Sequence, residues 1–370
     1  MNKKPSKILL TFISIVSLII GILMGAFAYH YTNLPLSDSI ISGDLQIHFL
    51  ELGNEHAGDS ILIQVGEVDI LVDAGSKTSS METIKNYIDT HVTDKILEYV
   101  IVTHAHEDHY ANFAGNGETS LFTYYTINNI IQFAMTNQTT GKMYNNYLKM
   151  VDKEKEEGAK VYTALECYEN QNGCTRTTDL GHGVELEILN NYYYTNKDSG
   201  DENNYSVCFM INQGDNHFLF TGDLEEKGEE KLIELNTLPE VTLFKAGHHG
   251  SNTSTSRTLL EVIKPDIVIF TAVAGAVEYT QNLDSTFPTK NVLDTVADYT
   301  DKVYITSQAT IEIIDGEYET TDFTSLNGNI IVKSNKNGVE VTGSNHSKIL
   351  KDTDWYTSYY SQYRNNDLPW

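Results

Sequence analysis

Cysteine and basic side chains are scarce in this chain of 370 residues, which has 3 Cys and 25 Lys+Arg. Three cysteines are too few for a disulfide scaffold, and no Cys-x-x-Cys spacing suggests a thiolate metal site. Cys167 and Cys174 could close a small loop if the chain lies outside the cell. Cys208, in the strand-like segment SVCFMI, is expected to pack as a small hydrophobic residue.

The shortage of basic residues leaves the chain strongly acidic. With 51 Asp+Glu, the formal net charge is −26 at pH 7. A field of this sign repels polyanions, which disfavours nucleic acid as a partner. Hydrophobic residues make up 40% of the chain, and that content, with regular Gly punctuation, indicates a globular body rather than a disordered one.

Charge is absent from the segment Ile8 to Tyr29, and three lysines precede it. As a helix this segment would span roughly 33 Å, enough to cross a bilayer. Basic residues on its amino side place that end in the cytoplasm and the rest of the chain outside. The alternative is a signal peptide cut after Ala26-Phe27-Ala28. Residues 1–33 are therefore predicted to be a cytoplasmic stub and transmembrane anchor, or a signal peptide, and both interpretations export the body.

A body of alternating strands and helices follows a polar linker over residues 34–44 and extends to residue 345. LQIHFLEL, SILIQVGEVDILVDAG and ILEYVIVT predict strands, with a hairpin turn near Gly66-Glu67. SSMETIKNYIDTHV predicts a helix with a capping box from Ser79 to Glu82. The simplest architecture is two sheets with helices outside them.

The alternation pauses between residues 120 and 180, which we interpret as an insertion over the sheet. It resumes with VELEILN, YSVCFMINQ and HFLFTGD. Near the end of the body, NIIVKSNKNGVEVTG predicts a hairpin whose Asn337-Gly338 suits a type I′ turn. Residues 346–370, with Trp355 and Trp370, are expected to form a tail laid on the body.

Histidine is concentrated directly after the predicted strand ILEYVIV, in THAHEDHY. A loop there can turn His104, His106, Asp108 and His109 toward one point, and imidazole with carboxylate is a normal ligand set for zinc or a similar divalent ion. His104 and His106 would reach one ion, and Asp108 and His109 a second, in a pair typically roughly 3.5–4 Å apart. A lone histidine at a strand end is usually a hydrogen-bonded surface residue, but four ligand-type residues in six positions predict a metal site.

Two later segments repeat this pattern of an apolar strand followed by a polar residue. FLFTGD ends in Asp223, and LFKAGHH ends in His248 and His249. These residues are expected to complete the coordination of the two ions.

Together with LVDAGS and GHHGS, these motifs resemble the metallo-β-lactamase superfamily over roughly Leu45 to Gly343. The resemblance implies a four-layer αββα sandwich of the α/β class. It implies Asp223 as the bridging carboxylate and His248 or His249 closing the second site, of which we favour His248. It also implies Asp73 as a buried acid that orients a ligand without binding metal.

Within the superfamily, the chain resembles the ComEC-type competence metallohydrolase domain and the choline-phosphate esterases of bacterial surfaces. Most members have another histidine ligand before the bridging Asp, where this chain has GDENNYS. Asp201, Asn203 or Asn204 would stand there, so one metal is expected to be held weakly. TFPT replaces a late GHPH motif, so the catalytic acid is unassigned.

Several polar residues near these motifs are candidates for substrate contacts: His56, Asn203, Asn204 and Ser251. His56 lies in an irregular loop after the first strand, and Ser251 begins a hydroxyl-rich run whose backbone amides and hydroxyl groups can bind oxyanions at a helix start. His182 and His217 are expected to be structural.

These features predict a membrane-tethered extracytoplasmic hydrolase of a phosphodiester or phosphate ester. It would use metal-bound hydroxide oriented by Asp108 or Asp223, with two divalent ions, zinc or else manganese or iron. The net charge favours a small or surface-polymer phosphoester over nucleic acid. The alternatives are a hydrolase of a carbon ester, thioester or lactam, an iron-dependent redox protein, and a non-catalytic metal- or ligand-binding module.

Overall fold

The computed structural model describes residues 44–197, 200–361 and 367–370. The predicted anchor or signal peptide, residues 1–33, and the linker up to residue 43 lie outside the described residues. None of the helices within the described ranges combines the length and the hydrophobicity that a membrane span requires.

Within these ranges the strands form two eight-stranded sheets. The first sheet has the order β16-β15-β1-β2-β3-β4-β5-β6 and contains β1 (Leu45–Phe49), β2 (Ile61–Val65), β3 (Val68–Val72), β4 (Ile96–Val102), β5 (Thr126–Gln132), β6 (Lys160–Thr163), β15 (Ile330–Asn335) and β16 (Gly338–Gly343). The second has the order β14-β13-β12-β11-β10-β9-β8-β7 and contains β7 (Thr177–Gly181), β8 (Val184–Ile188), β9 (Phe209–Gln213), β10 (Asn216–Phe220), β11 (Leu243–Lys245), β12 (Ile267–Ala274), β13 (Val303–Ile314) and β14 (Glu317–Ser325).

Each sheet is mixed, and helices connect its parallel strands. Strands β3 to β6 run parallel to one another, and so do β10 to β13, whereas the remaining pairs are antiparallel. Parallel neighbours need long crossover connections, which helices supply. The helices are α1 (Met81–His91), α2 (Glu107–Ala114), α3 (Lys142–Glu157), α4 (Ala164–Tyr168), α5 (Glu226–Leu235), α6 (Arg257–Ile263) and α7 (Lys290–Ala297).

Successive residues of β10 show how the layers stack. Phe218 and Phe220 belong to the core that the two sheets share, and Leu219 belongs to the core between the second sheet and its helices. Side chains alternate between the two faces of a strand, so both faces of this sheet are buried. The rings of Phe49 and Phe220 lie 6.3 Å apart between the sheets. Two large mixed sheets covered by helices are consistent with the metallo-β-lactamase α/β sandwich.

Residues 120–180 are not an insertion over the sheet, because they supply two of its strands. Strand β5 pairs with β4, and β6 pairs with β5. Strands β5 and β6 interrupt their apolar residues with polar ones, so they lack the long apolar runs by which we recognised the other strands. The disulfide between Cys167 and Cys174 lies in the same segment, and Cys208 is a buried free thiol.

Two local predictions differ from the structure. Helix α1 has Ser80 as its N-cap, and the Ser80 hydroxyl donates to the carbonyl oxygens of Gly75 and Lys77, so the capping box at Ser79 is wrong. In the β15–β16 hairpin Asn335 pairs with Gly338, so the turn lies one position before the predicted one.

The sequence analysis missed the hairpin of β13 and β14. Its turn residues, Asp315 and Gly316, have φ angles of 54° and 92°. An Asp-Gly pair at positive φ is typical of a type I′ turn, so the signal was present in the sequence. In the tail, the Trp370 indole nitrogen donates to the Thr300 carbonyl at 3.1 Å, and Trp355 is buried.

Candidate metal centre

The predicted ligands lie at the carboxyl ends of parallel strands. His104 and His106 follow β4, Asp223 follows β10, and His248 and His249 follow β11. Carboxyl ends of parallel strands share one edge of a sheet, which is where ligands bind in α/β folds. The two sheets bring their edges together, so residues separated by more than a hundred positions meet in one buried group.

One half of the group is formed by His104 and His106 with Asp223. His104 is fully buried, and its Nε2 lies 3.2 Å from His106 Nδ1 and 3.9 Å from Asp223 Oδ2. On the other side of the ring, His104 Nδ1 lies 3.1 Å from the Thr103 hydroxyl and 3.4 Å from that of Ser206. These hydroxyls hold the ring so that Nε2 faces Asp223.

The other half is formed by Asp108, His109, Asp223 and His249, whose ligand atoms all lie within 4.8 Å of one another. His109 Nε2 lies 3.0 Å from Asp223 Oδ2. His249 Nε2 lies 3.5 Å from a carboxylate oxygen of Asp108 and 3.5 Å from Asp223 Oδ2. Asp223 is therefore shared by the two halves.

The structure places His249, and not the favoured His248, in this second half. Both residues have left-handed backbone, with φ angles of 54° and 47°. His249 is fully buried, whereas the side chain of His248 is 22% exposed and its Nε2 lies 3.9 Å from Asp223 Oδ2. His248 and His249 have the same side chain, and only the backbone conformation decides which ring points into the group. The sequence pattern does not encode that conformation.

Asp73 lies behind His109, as the resemblance implied. One of its carboxylate oxygens accepts from the Thr103 amide at 2.8 Å, and the other accepts from the Thr103 hydroxyl at 2.7 Å. His109 Nδ1 lies 2.8 Å from the second oxygen. A histidine that donates from Nδ1 presents an unprotonated Nε2, which is the form that binds metal.

The electrostatics of the group are those of a cation site. Burial alone would raise the pKa of Asp223, but His109, His249 and His248 outweigh it and hold the pKa well below its ordinary value. Burial opposes charge on His249, yet Asp223 and Asp59 raise its pKa to about 10. The carboxylates around His249 therefore favour positive charge at this buried position.

Two buried atoms show that the residues fit divalent ions. Asp223 Oδ1 and His249 Nε2 have no hydrogen-bond partner among the described residues. Imidazole nitrogen and carboxylate oxygen suit zinc, manganese and iron. His104, His106 and Asp223 would hold one ion, and Asp108, His109, Asp223 and His249 the other. This ligand assignment and the identity of the metal stay predictions.

Asn203, from the GDENNYS segment, reaches His248 beside the centre. Its Nδ2 lies 3.5 Å from His248 Nδ1 and 3.4 Å from Glu225 Oε1. Asn204 instead accepts a hydrogen bond from the Glu225 amide, so it shapes the loop. Asp201 lies in an adjoining recess of ≈ 460 Å³, which is lined by Gly200, Asp201, Asn204, Glu225, Glu226, Lys227, Asn252 and Thr253.

The rim of the centre contains two aromatic residues that the sequence analysis missed. The Phe287 ring centroid lies 5.8 Å from that of His248 and 5.5 Å from that of Tyr279, which is 61% exposed. His56 Nδ1 lies 2.8 Å from Glu278 Oε1, the carboxylate next to Tyr279. Phe287 stands in the TFPT segment, and no motif in the sequence marks it as a residue of the rim.

The loop that follows His249 is held by hydrogen bonds to side chains. The Ser251 hydroxyl lies 3.1 Å from that of Thr253, and Ser256, the last residue of the hydroxyl-rich run, caps helix α6 by accepting from the Leu259 amide. Ser251 is buried. A substrate contact from its side chain stays a prediction.

Glu229 on α5 makes a pH-dependent contribution to stability. It is fully buried and accepts hydrogen bonds from the amides of Thr255 and Ser256. Burial raises the pKa of its carboxyl group to about 7 despite these hydrogen bonds. Because this value lies above the ordinary 4.5, protonation favours the folded state: the contribution is present below pH 4.5 and is lost as the pH rises through 7.

We therefore expect the free energy of unfolding of the wild type to fall, relative to that of Glu229→Gln, by about 3 kcal/mol between pH 4.5 and 7. Urea unfolding of both proteins at several pH values in one metal buffer measures this difference. Parallel pH profiles for the two proteins would contradict it.

Comparison with known proteins gives a family match over more than half of the chain. The model described as "Anti-Pycsar protein Apyc1" matches residues 51–257. Among curated proteins, the chain is 27% identical over 230 residues to Recombination protein 2 of Haemophilus influenzae, covering 61% of this chain and 24% of that protein. It is 33% identical over 107 residues to Competence protein ComA of Neisseria gonorrhoeae, covering 28% and 15%. The chain thus spans about a quarter or less of these relatives.

Similar solved structures are metallo-β-lactamase fold proteins. The metallo-β-lactamase fold protein YhfI of Bacillus subtilis is 12% identical with a TM-score of 0.40, covering 76% of this chain and 99% of that one. A diphosphatase of the PhnP family is 13% identical with a TM-score of 0.34, covering 61% and 86%. By its family match over residues 51–257, the chain belongs to the Anti-Pycsar protein Apyc1 family.

Proposed function

We propose that this protein is a metal-dependent hydrolase of a phosphodiester or phosphate ester, with its catalytic body outside the membrane and tethered by the N-terminal segment. The observation that carries the hydrolase proposal is the buried group itself. Asp108, His109, Asp223 and His249 converge within 4.8 Å, and two of their ligand atoms have no hydrogen-bond partner among the described residues. A buried polar atom without a partner is costly, so such a group is maintained for a ligand.

Divalent ions, when bound here, would lower the pKa of water from 15.7 to about 7 and stabilise negative charge on phosphoryl oxygens. The chain's own residues supply orientation. Asp108 and Asp223 can accept hydrogen bonds from the attacking water and so point its lone pair at phosphorus. The centre opens on the side of Asp108 and His248, whose side chains are 19% and 22% exposed.

The surroundings of the opening support a small substrate. The adjoining recess carries Asp201, Glu225 and Glu226 with only Lys227 to offset them. Together with the net charge of −26, this acidic wall disfavours a polyanion along the surface. A small or zwitterionic phosphodiester, free or attached to a surface polymer, fits better than nucleic acid.

Metal removal tests the proposal. We expect the purified protein to carry divalent ions and to hydrolyse bis(p-nitrophenyl) phosphate. Dialysis against EDTA should reduce the rate to background, and added zinc or manganese should restore it. His106→Ala should behave like the EDTA-treated protein, whereas the matched control His182→Ala, an exposed histidine away from the centre, should keep full activity.

Parallel assays separate the alternatives. Nitrocefin and a thioester report lactam and carbon ester hydrolysis, and single-stranded DNA at low and physiological salt reports a nuclease. A fully metal-loaded protein that leaves every ester intact would replace the hydrolase with a metal- or ligand-binding module. Cleavage of nitrocefin or the thioester without the diester would move the substrate class away from phosphate.

A further inference from the structure

A buried ion pair joins the two sheets directly behind the metal centre. Lys245 Nζ lies 2.6 Å from Asp59 Oδ2, and the two side chains are 1% and 3% exposed. Asp59 stands in the loop between β1 and β2 of the first sheet, and Lys245 is the last residue of β11 in the second. Removing two charges from water is costly, and a buried pair is no evidence of stability by itself. The residues around the pair indicate a second role for it.

Asp59 lies behind both histidines of the second half of the centre. Its Oδ1 accepts from the Thr271 hydroxyl and lies 3.4 Å from His249 Nδ1. Its Oδ2 lies 3.8 Å from His109 Nδ1. His249 Nδ1 donates to the Thr271 carbonyl oxygen at 3.0 Å, so Nε2 is the nitrogen that faces Asp108 and Asp223.

The backbone of Asp59 is hydrogen-bonded to the segments of the first sheet that contain Asp108 and Gly75. Its amide donates to the Asp108 carbonyl oxygen at 3.0 Å, and its carbonyl oxygen accepts from the Gly75 amide at 2.9 Å. The carboxylate of Asp59 therefore has a fixed position relative to the ligands from the first sheet. Lys245 and Thr271 fix it relative to the second sheet, which carries His249.

We propose that the Asp59–Lys245 pair is a positioning element of the metal centre, which holds His249 at a fixed distance from His109 across the two sheets. Asp59 stands behind His249 much as Asp73 stands behind His109, although the Thr271 carbonyl oxygen is the group that accepts from His249 Nδ1. Lys245 offsets the charge of Asp59 beside three other carboxylates, those of Asp73, Asp108 and Asp223. This inference rests on the proposed metal site, and neither residue is expected to touch the substrate.

The test compares the double variant Asp59→Asn/Lys245→Met with the wild type. Asp59→Asn alone leaves a buried ammonium unpaired and can fail to fold, whereas the double variant removes both charges and keeps the volumes similar. The matched control is Glu154→Gln, which alters a carboxylate that is 3% exposed on α3. Metal affinity is measured by competition with a chromophoric chelator, geometry by the visible spectrum of the cobalt-loaded protein, and folding by the melting temperature after chelation.

We expect the double variant to fold and to bind one ion about 10–100-fold more weakly, with a changed cobalt spectrum. Glu154→Gln should change the melting temperature alone. A double variant with wild-type affinity for both ions and an unchanged spectrum would overturn the inference and leave the proposed function standing. A wild-type protein that binds no divalent ion would overturn the proposed function, and this inference with it.

Discussion

Asp223→Asn is expected to lower kcat/KM for the phosphodiester by about 10³-fold or more. Four histidines have a ring nitrogen within 3.9 Å of Asp223 Oδ2, and Oδ1 has no hydrogen-bond partner among the described residues. Asn has the same shape but no charge, and it offers one oxygen where the centre needs two. A loss of several kcal/mol of cation binding and charge stabilisation corresponds to this change in rate.

The measurement is kcat/KM for bis(p-nitrophenyl) phosphate together with metal content. Asp69→Asn is the matched control, because Asp69 is also buried, on β3 of the first sheet, but hydrogen-bonds Gln64 and belongs to no metal group among the described residues. It should retain wild-type activity and metal. Wild-type kcat/KM in Asp223→Asn would show that hydrolysis occurs elsewhere on the protein.

Asp73→Asn is expected to keep the fold and to lose most of the hydrolysis, by about 10–100-fold. The Asn oxygen can still accept from the Thr103 amide, so the buried loop retains a partner. The new amide group faces His109 Nδ1 and donates to it, since Nδ1 lies 2.8 Å from the replaced oxygen. The imidazole proton then moves to Nε2, which faces Asp223 and can no longer bind metal.

Asp73→Ala is the contrasting variant. It removes the two oxygens that accept from the Thr103 amide, the Thr103 hydroxyl and His109 Nδ1, and it breaks a buried pair, which costs about 3–5 kcal/mol. Alanine is also strained at the φ of 56° that Asp73 adopts. Urea unfolding should show a large loss for Asp73→Ala and a small one for Asp73→Asn. Equal activity of Asp73→Asn and wild type would exclude control of the His109 tautomer by Asp73.

Side chains that act within one loop were predictable from the sequence. The apolar run ILEYVIV predicts a strand and the position at which it ends. The histidines and the aspartate that follow it lie within six positions, so His104, His106, Asp108 and His109 could be identified together. Asp223 was recognised in the same way, from a strand that ends in a carboxylate. Such features depend on contacts between near neighbours in the chain.

Contacts between distant segments could not be predicted in this way. Strands β5 and β6 lack long apolar runs, and they belong to the sheet because β5 pairs with β4 and β6 pairs with β5. Phe287 and Tyr279 reach the rim through a loop between β12 and α7. Asp59 and Lys245 have no motif that links them, because an ion pair 186 positions apart depends on how the sheets pack.

The sequence by itself determined which chemistry this protein carries: a run of imidazoles and carboxylates at strand ends, on an acidic chain with a long uncharged segment near its start. Tertiary structure alone decided which of two adjacent histidines lies beside Asp108, His109 and Asp223. It also decided which carboxylates stand behind the ligands. The physical reason is that ligand type is a property of a side chain, whereas the distance between ligands is set by the packing of two sheets.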